Sequence, residues 1–139
     1  MDGIEDATSL DLDWSKLARV GSSATPVLPV VLQDHESHDV LFVGFTDQAG
    51  HEESLAIGEV VLFSTSRQER WHKGATSGDT LRLVEARVNC EQNSLLYLVA
   101  PITGRACHSV GPDGQHRASC YYRRIDGEQL VFDRDQPEG

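Results

Sequence analysis

VLPVVLQDHESHDVLFVGF, residues 27–45, sets two apolar runs on either side of the polar stretch DHESH. Short runs rich in Val, Leu and Phe, parted by Asp, His, Glu and Ser, predict a β-hairpin. Pro29 has no N–H to give to a ladder, so the first strand is expected at a sheet edge there. Downstream, Thr46 or Asp47 is placed to cap a helix over QAGHEESLAI, residues 48–57, with Gly58 at its C′ position. EVVLFSTS (59–66) reads as a strand that runs into a polar loop, RQERWHKGATSGD (67–79). TLRLVEARVN (80–89) alternates, with Leu81 and Leu83 on one face and Val84, Ala86 and Val88 on the other, across a bulge. SLLYLVAP (94–101), CYYRRI (120–125) and LVFD (130–133) are further strands.

Upstream of the hairpin, Asp13 is expected to cap a short helix, DWSKLAR, with Trp14 and Leu17 on its inner face. Residues 1–12 read as a flexible acidic arm and 13–139 as one domain. No repeat and no βαβ rhythm is present, so the fold class is α+β, mainly antiparallel β, with one or two helices.

The net charge of −10 is uneven. Residues 1–66 carry twelve Asp and Glu against Lys16 and Arg19, whereas residues 67–139 carry ten acidic and ten basic residues. No basic stripe tracks a phosphate backbone, which argues against nucleic acid as a partner. A small anionic ligand needs only a local cluster, and Arg67, Arg70, His72 and Lys73 supply one. No apolar run approaches the length of a membrane span. MDGIEDATSLDLDW has neither the basic nor the apolar region of a signal peptide. A cytoplasmic, reducing location is therefore expected, and there three cysteines are unlikely material for structural disulfides.

Those cysteines are the first candidates for chemistry. Cys107 is followed by His108, and Cys120 lies beyond a polar loop that also holds His116. Cys90 stands near the end of an earlier strand. Three thiolates can hold Zn²⁺ with a fourth position open, a site that brings the pKa of bound water to roughly 7. The spacing matches no structural zinc finger. Buried inert thiols and a thiol nucleophile paired with His108 account for the same residues. The second candidate is STSRQERWHKGATSGD, residues 64–79. It mixes hydroxyls, cations and glycines suited to phosphate, with Trp71 free to stack or to pack. A solvated connection is the plain alternative, although its length favours function. The third is NCEQN, residues 89–93. One carboxylate and its amides make a poor hard-cation site, and a polar turn fits better.

Several segments together resemble the phosphoribosyl-AMP cyclohydrolase family. LDWSK, VLPVVLQD, VLFVGFTDQA, IGEVVLFSTSRQERWHKGATSG and the ACH…SCY pair follow the family's order from about Leu12 to Tyr121. The resemblance implies a twisted, barrel-like sheet in an intertwined homodimer. It implies hydrolysis of the N1–C6 bond of the adenine ring of N1-phosphoribosyl-AMP, a step of histidine biosynthesis. It assigns zinc to Cys90, Cys107 and Cys120, with ligands drawn from both subunits; His108, beside a zinc ligand, is then the candidate for proton transfer, since imidazole titrates near working pH. Ser64, Ser66, Arg67, Trp71, Lys73, Thr76 and Ser77 become residues for the anionic nucleotide, Trp71 by packing the loop.

The sequence also departs from the family. The Asp-Cys-Asp-x-Asp series assigned to Mg²⁺ reads Asn89-Cys90-Glu91-Gln92-Asn93, so the Mg²⁺ site at Asn89, Glu91 and Asn93 has lost most of its charge. Ala75 replaces a Glu, and the loop between Cys107 and Cys120 is longer. These changes keep two alternatives in view: a paralogue that opens the ring of another purine nucleotide, and a non-catalytic zinc-clamped dimer that binds nucleotide.

Overall fold

In a computed structural model the described residues are 3–133; the outermost parts of the expected 1–12 arm and 13–139 domain lie outside them. The 27–45 hairpin forms as β1, Leu28–Asp34, and β2, Val40–Thr46. In the connecting turn the Asp34 carboxylate accepts from the N–H groups of Glu36 and Ser37. The stretch 80–101 gives a second antiparallel pair, Leu81–Val88 and Leu95–Pro101. The second of these strands joins β1 in parallel, so β1 is an interior strand and not an edge. Pro29 is tolerated because the parallel ladder starts one residue later, at Val30, and no donor is needed at position 29.

Between these pairs lie the first long helix and a small hairpin. A short helix, α1, spans Lys16–Gly21, and α2 spans Gln48–Ile57. Val61–Ser64 is β3 and Glu69–His72 is β4, paired antiparallel. The 80–101 strands are β5 and β6, and a terminal hairpin is built from β7, Arg123–Asp126, and β8, Gln129–Phe132. The main sheet runs β2-β1-β6-β5. The class is α+β and mainly antiparallel, but the sheets stay open and do not close into the barrel-like form expected.

The core follows the strand period. Val30 and Leu32 of β1 and Tyr97 and Val99 of β6 are fully buried and meet Val60 and Leu62. Burial of the Tyr97 ring pushes its hydroxyl up to about 12. In β5 the bulge falls between Leu83 and Glu85. It removes Val84 from the register and returns Ala86 to the core side with Leu83, so the two do not face opposite ways as the alternation predicts.

The α2 caps are those expected. The Asp47 carboxylate accepts from the Gly50 N–H at 3.0 Å, and Gly58 is left-handed at φ 73°. Gly50, a poor helix former, is explained by space: a Cβ there would stand 2.8 Å from both Asp47 Oδ1 and Thr46 Oγ1. Buried Ser54 donates to the Gly50 carbonyl and accepts from the Val61 N–H, tying helix to strand.

Two other expectations are corrected. The polar loop 67–79 contains β4, because the turn at Gln68, φ 55°, folds Trp71 back onto the core. Trp14, two residues before α1, and Leu17 within it are 88% and 73% exposed and form no inner face. A helix this short presents no stripe wide enough to bury. Asp13 instead binds Ser15 and Arg19. The acidic segment near the N-terminus lies along the terminal hairpin, with the Leu10 N–H on the Glu128 carbonyl and the Leu130 N–H on the Thr8 carbonyl.

Asp47→Ala removes the α2 cap and the carboxylate that Arg70 approaches at 3.5 Å. Urea denaturation should show a loss of about 1–2 kcal/mol with an unchanged m-value; an unchanged midpoint would mean that the cap contributes nothing.

Candidate active site

A cavity of about 870 Å³ opens between β2, the β3–β4 hairpin and the segment carrying Cys107 and Cys120. One wall is the connection that the sequence singled out. Ser64, Ser66, Arg67, Trp71, Lys73, Thr76 and Ser77 all line it. The Arg67 N–H donates to Ser64 Oγ at 3.2 Å, which closes the hydroxyl turn. Trp71 packs against the core beneath the wall. Gly74 makes the next turn possible: at φ 82°, a Cβ would stand 2.2 Å from the Asp79 carbonyl carbon. Only glycine lets the Lys73 loop pass that close to the backbone at Asp79 and Thr80.

On the far wall, the sequence brings together two of its three thiols. Cys107 and Cys120 act on each other's ionisation: the neighbouring thiol, with help from the Ser109 hydroxyl at 3.0 Å, holds Cys107 below the ordinary thiol range, while the Cys107 thiol and burial push Cys120 up. The backbone fixes both: the Cys107 N–H donates to the Arg117 carbonyl at 2.9 Å, and the Cys120 N–H to the Leu41 carbonyl at 2.7 Å. His108 lines the cavity beside them, and its Nε2 lies 3.2 Å from Glu5. Cys90 does not join them. It is exposed at the end of β5, and β5 is three strands from β2 in the sheet order. At about 4.8 Å per strand this is roughly 14 Å of sheet. Accordingly, no group of three potential ligands forms among the described residues.

The cationic cluster proposed from sequence separates. Arg70 turns to Asp47, and His72 Nε2 meets Glu59 at 2.6 Å. Lys73 stays in the cavity wall, buried, with its Nζ 5.6 Å from the Phe42 ring centre. Burial lowers its pKa, and the neighbouring Asp79, Cys120 and Cys107 work against that. Asp79 accepts from Thr103 Oγ1 at 2.7 Å and is bound by His116 Nδ1. Burial would raise the Asp79 pKa, but these hydrogen bonds and the His116 and Lys73 charges leave it lowered. His116 thus acquires a partner, and Asp79 is a residue that the sequence reading left unassigned. Its position after the Thr-Ser-Gly run was the available signal.

NCEQN forms a closed turn. The Asn89 side-chain oxygen accepts from the N–H groups of Asn93 and Ser94, each at 2.9 Å, and the Asn93 side-chain oxygen accepts from the Asn89 amide at 2.7 Å. Those oxygens are spent on the turn, and Glu91 alone brings charge, so Asn89, Glu91 and Asn93 do not fit Mg²⁺. The thiols do fit Zn²⁺ in kind. Two lie together, partly buried, beside a lysine charge, and one more thiol is required.

Comparison with known proteins gives the family. The family model Phosphoribosyl-AMP cyclohydrolase matches residues 42–122, which span the cavity walls. The chain is 40% identical to the Phosphoribosyl-AMP cyclohydrolase of Alkalilimnicola ehrlichii, over 82% of this chain and 75% of that protein. It is 39% identical to that of Halobacterium salinarum, over 91% of this chain and 94% of that protein. It is also 43% identical to the Histidine biosynthesis bifunctional protein HisIE of Shewanella oneidensis, over 70% of this chain and 43% of that protein. Sharing residues along most of its length with such proteins, the chain belongs to the phosphoribosyl-AMP cyclohydrolase family.

Proposed function

We propose that this protein hydrolyses the N1–C6 bond of the adenine ring of N1-phosphoribosyl-AMP, in histidine biosynthesis, as a zinc-dependent homodimer. The observation that carries the proposal is the meeting of Cys107 and Cys120 beside His108, across one cavity from the hydroxyl- and cation-rich wall of residues 64–77. Cys107 and Cys120 would hold zinc together with Cys90 of a second copy, since Cys90 of the same chain leaves from the opposite sheet edge. Bound there, zinc supplies Lewis acidity and a lowered pKa for water.

The protein's own groups have distinct tasks. Ser64, Ser66, Arg67, Thr76 and Ser77 would grip phosphate or ribose oxygens and orient the purine toward the thiols. Water adds its oxygen to C6, and N1 must gain a proton before the C6–N1 bond parts. His108 lines the cavity and, among the described residues, is held by Glu5, so it is placed to deliver that proton. Lys73, buried beside the thiols, would offset thiolate charge. Trp71 keeps the wall in place by packing. The spent amides of NCEQN leave the reaction without magnesium ligands of the family kind.

Purified protein supplied with zinc should convert N1-phosphoribosyl-AMP, followed by ultraviolet absorbance, and a chelator should stop it. No conversion with zinc bound and the dimer intact would overturn the assignment. Cys107→Ala should lose most bound zinc, and full zinc stoichiometry would remove Cys107 from the ligand set. Mixing Cys90→Ala with Cys107→Ala subunits should restore roughly a quarter of wild-type activity, because random pairing makes half the dimers mixed and each mixed dimer holds one intact site. No restoration would place all three ligands in one chain. Glu91→Gln should stay within about twofold of wild type, given a single carboxylate where Mg²⁺ needs several. A large loss that excess Mg²⁺ repairs would restore Glu91 as a ligand.

A further inference from the structure

The short helix α1 owes its position to polar contacts. Lys16 Nζ donates to Thr65 Oγ1 at 3.4 Å and stands 5.7 Å from the Phe45 ring centre. Gln68, in the β3–β4 turn, accepts from Ser23 Oγ at 3.1 Å and from the Ala24 N–H at 3.2 Å, in the connection that follows α1. Together these contacts set the start of α1 over the Ser64–Ser66 turn, where Lys16 joins the cavity lining.

The charges around that turn are unequal. Arg19, the other cation of α1, is held by Asp13 at 2.6 Å. Arg67 Nε lies 3.5 Å from Ser64 Oγ and 3.6 Å from Glu69. Among the described residues no carboxylate pairs with Lys16. Three consecutive hydroxyls, Ser64, Thr65 and Ser66, therefore line the cavity together with the Lys16 ammonium, which no described carboxylate pairs, and the Arg67 guanidinium, which Glu69 shares. Hydroxyl and cationic donors around one point suit a phosphomonoester dianion, which accepts from all of them. Lys73 is a poor substitute for this task, since it is buried and faces Asp79 and the thiols.

We infer that Lys16 is a substrate-binding residue. It completes, with the Ser64–Ser66 turn and Arg67, a subsite for one phosphomonoester of the bound nucleotide. This rests on the nucleotide reading above, and it adds a cation from outside the segment 64–77.

The test is equilibrium titration of the full-length, zinc-supplied protein with AMP against adenosine, and with ribose 5-phosphate against ribose. In wild type at least one phosphorylated probe should bind more tightly than its dephosphorylated partner. Lys16→Gln should weaken that probe about tenfold and leave the partner within about twofold, and Lys16→Arg should restore most of the difference. The inference is overturned if wild type shows no preference for either phosphate. It is equally overturned if Lys16→Gln spares both phosphorylated probes, or if it weakens phosphorylated and dephosphorylated probes alike, which would mark a lysine that only holds α1 in place. Failure of ring opening, with the phosphate preference intact and sensitive to Lys16, would overturn the reaction and leave the subsite standing.

Discussion

One buried guanidinium holds the thiol side of this molecule together. Arg117 is 1% exposed. Removing such a group from water costs several kcal/mol, offset only when its partners are close and well aimed. Its Nη2 lies 3.3 Å from Asp6, its Nη1 lies 3.3 Å from Ser109 Oγ, and the Tyr122 ring centre is 4.0 Å from its central carbon. Those partners belong to three parts of the chain: the N-terminal segment, the loop after Cys107 and the approach to the terminal hairpin. The Arg117 backbone also accepts the Cys107 N–H and donates to the Ser109 carbonyl. The Ser109 hydroxyl therefore sits between the guanidinium and the Cys107 thiol. The position of Cys107 is thus linked to the docking of a segment a hundred residues earlier.

This linkage gives the lopsided charge of the chain a structural use. The acidic first half and the more basic second half are joined by pairs that cross between them: Asp6 with Arg117, Glu5 with His108, Asp47 with Arg70, and Glu59 with His72. The exposed pairs among these contribute little singly, whereas Asp6 meets a buried guanidinium. They nevertheless decide which cations remain available to the cavity. Arg70 and His72 were natural phosphate ligands on composition alone, yet each is engaged by a carboxylate. Also lining the open volume are Arg67, which Glu69 approaches at 3.6 Å, Lys73 and, from the acidic half itself, Lys16.

The hairpin at 27–45, the caps of α2 and the order of the later strands were legible because each rests on a local rule: alternation, a capping carboxylate, a left-handed glycine. Tertiary pairing was not legible. Nothing local to Leu28–Asp34 or Leu95–Pro101 says that they lie side by side in parallel, and that pairing makes β1 an interior strand. The hairpin hidden in 67–79 was missed because β4 is charged on its outer positions and contributes Trp71 alone to the core. The inward face given to Trp14 and Leu17 failed for the converse reason, since the short helix starts only at Lys16 and leaves Trp14 outside it, so the two create no surface to bury them. In the site, the thiols and the hydroxyl wall were identified by residue type. The partners of His116 and Lys16 depended on contacts across the fold, 37 and 49 residues away in sequence.

The loop between Cys107 and Cys120 is anchored by backbone bonds at both cysteines. Cys107 is tied to the Arg117 carbonyl within the same loop, and Cys120 is tied to the Leu41 carbonyl on β2. The added length rises between them as a small excursion, closed by the Val110–His116 bridge and by the Gly111 N–H on the Gln115 carbonyl. His116, at the return of that excursion, binds Asp79, which also marks the point where the Lys73 loop passes close to the backbone beside Gly74. A single carboxylate therefore braces the inserted loop against the loop that carries Lys73. Residues 110–116 therefore form part of the rim, while the backbone bonds of Cys107 and Cys120 hold the thiols from outside that excursion.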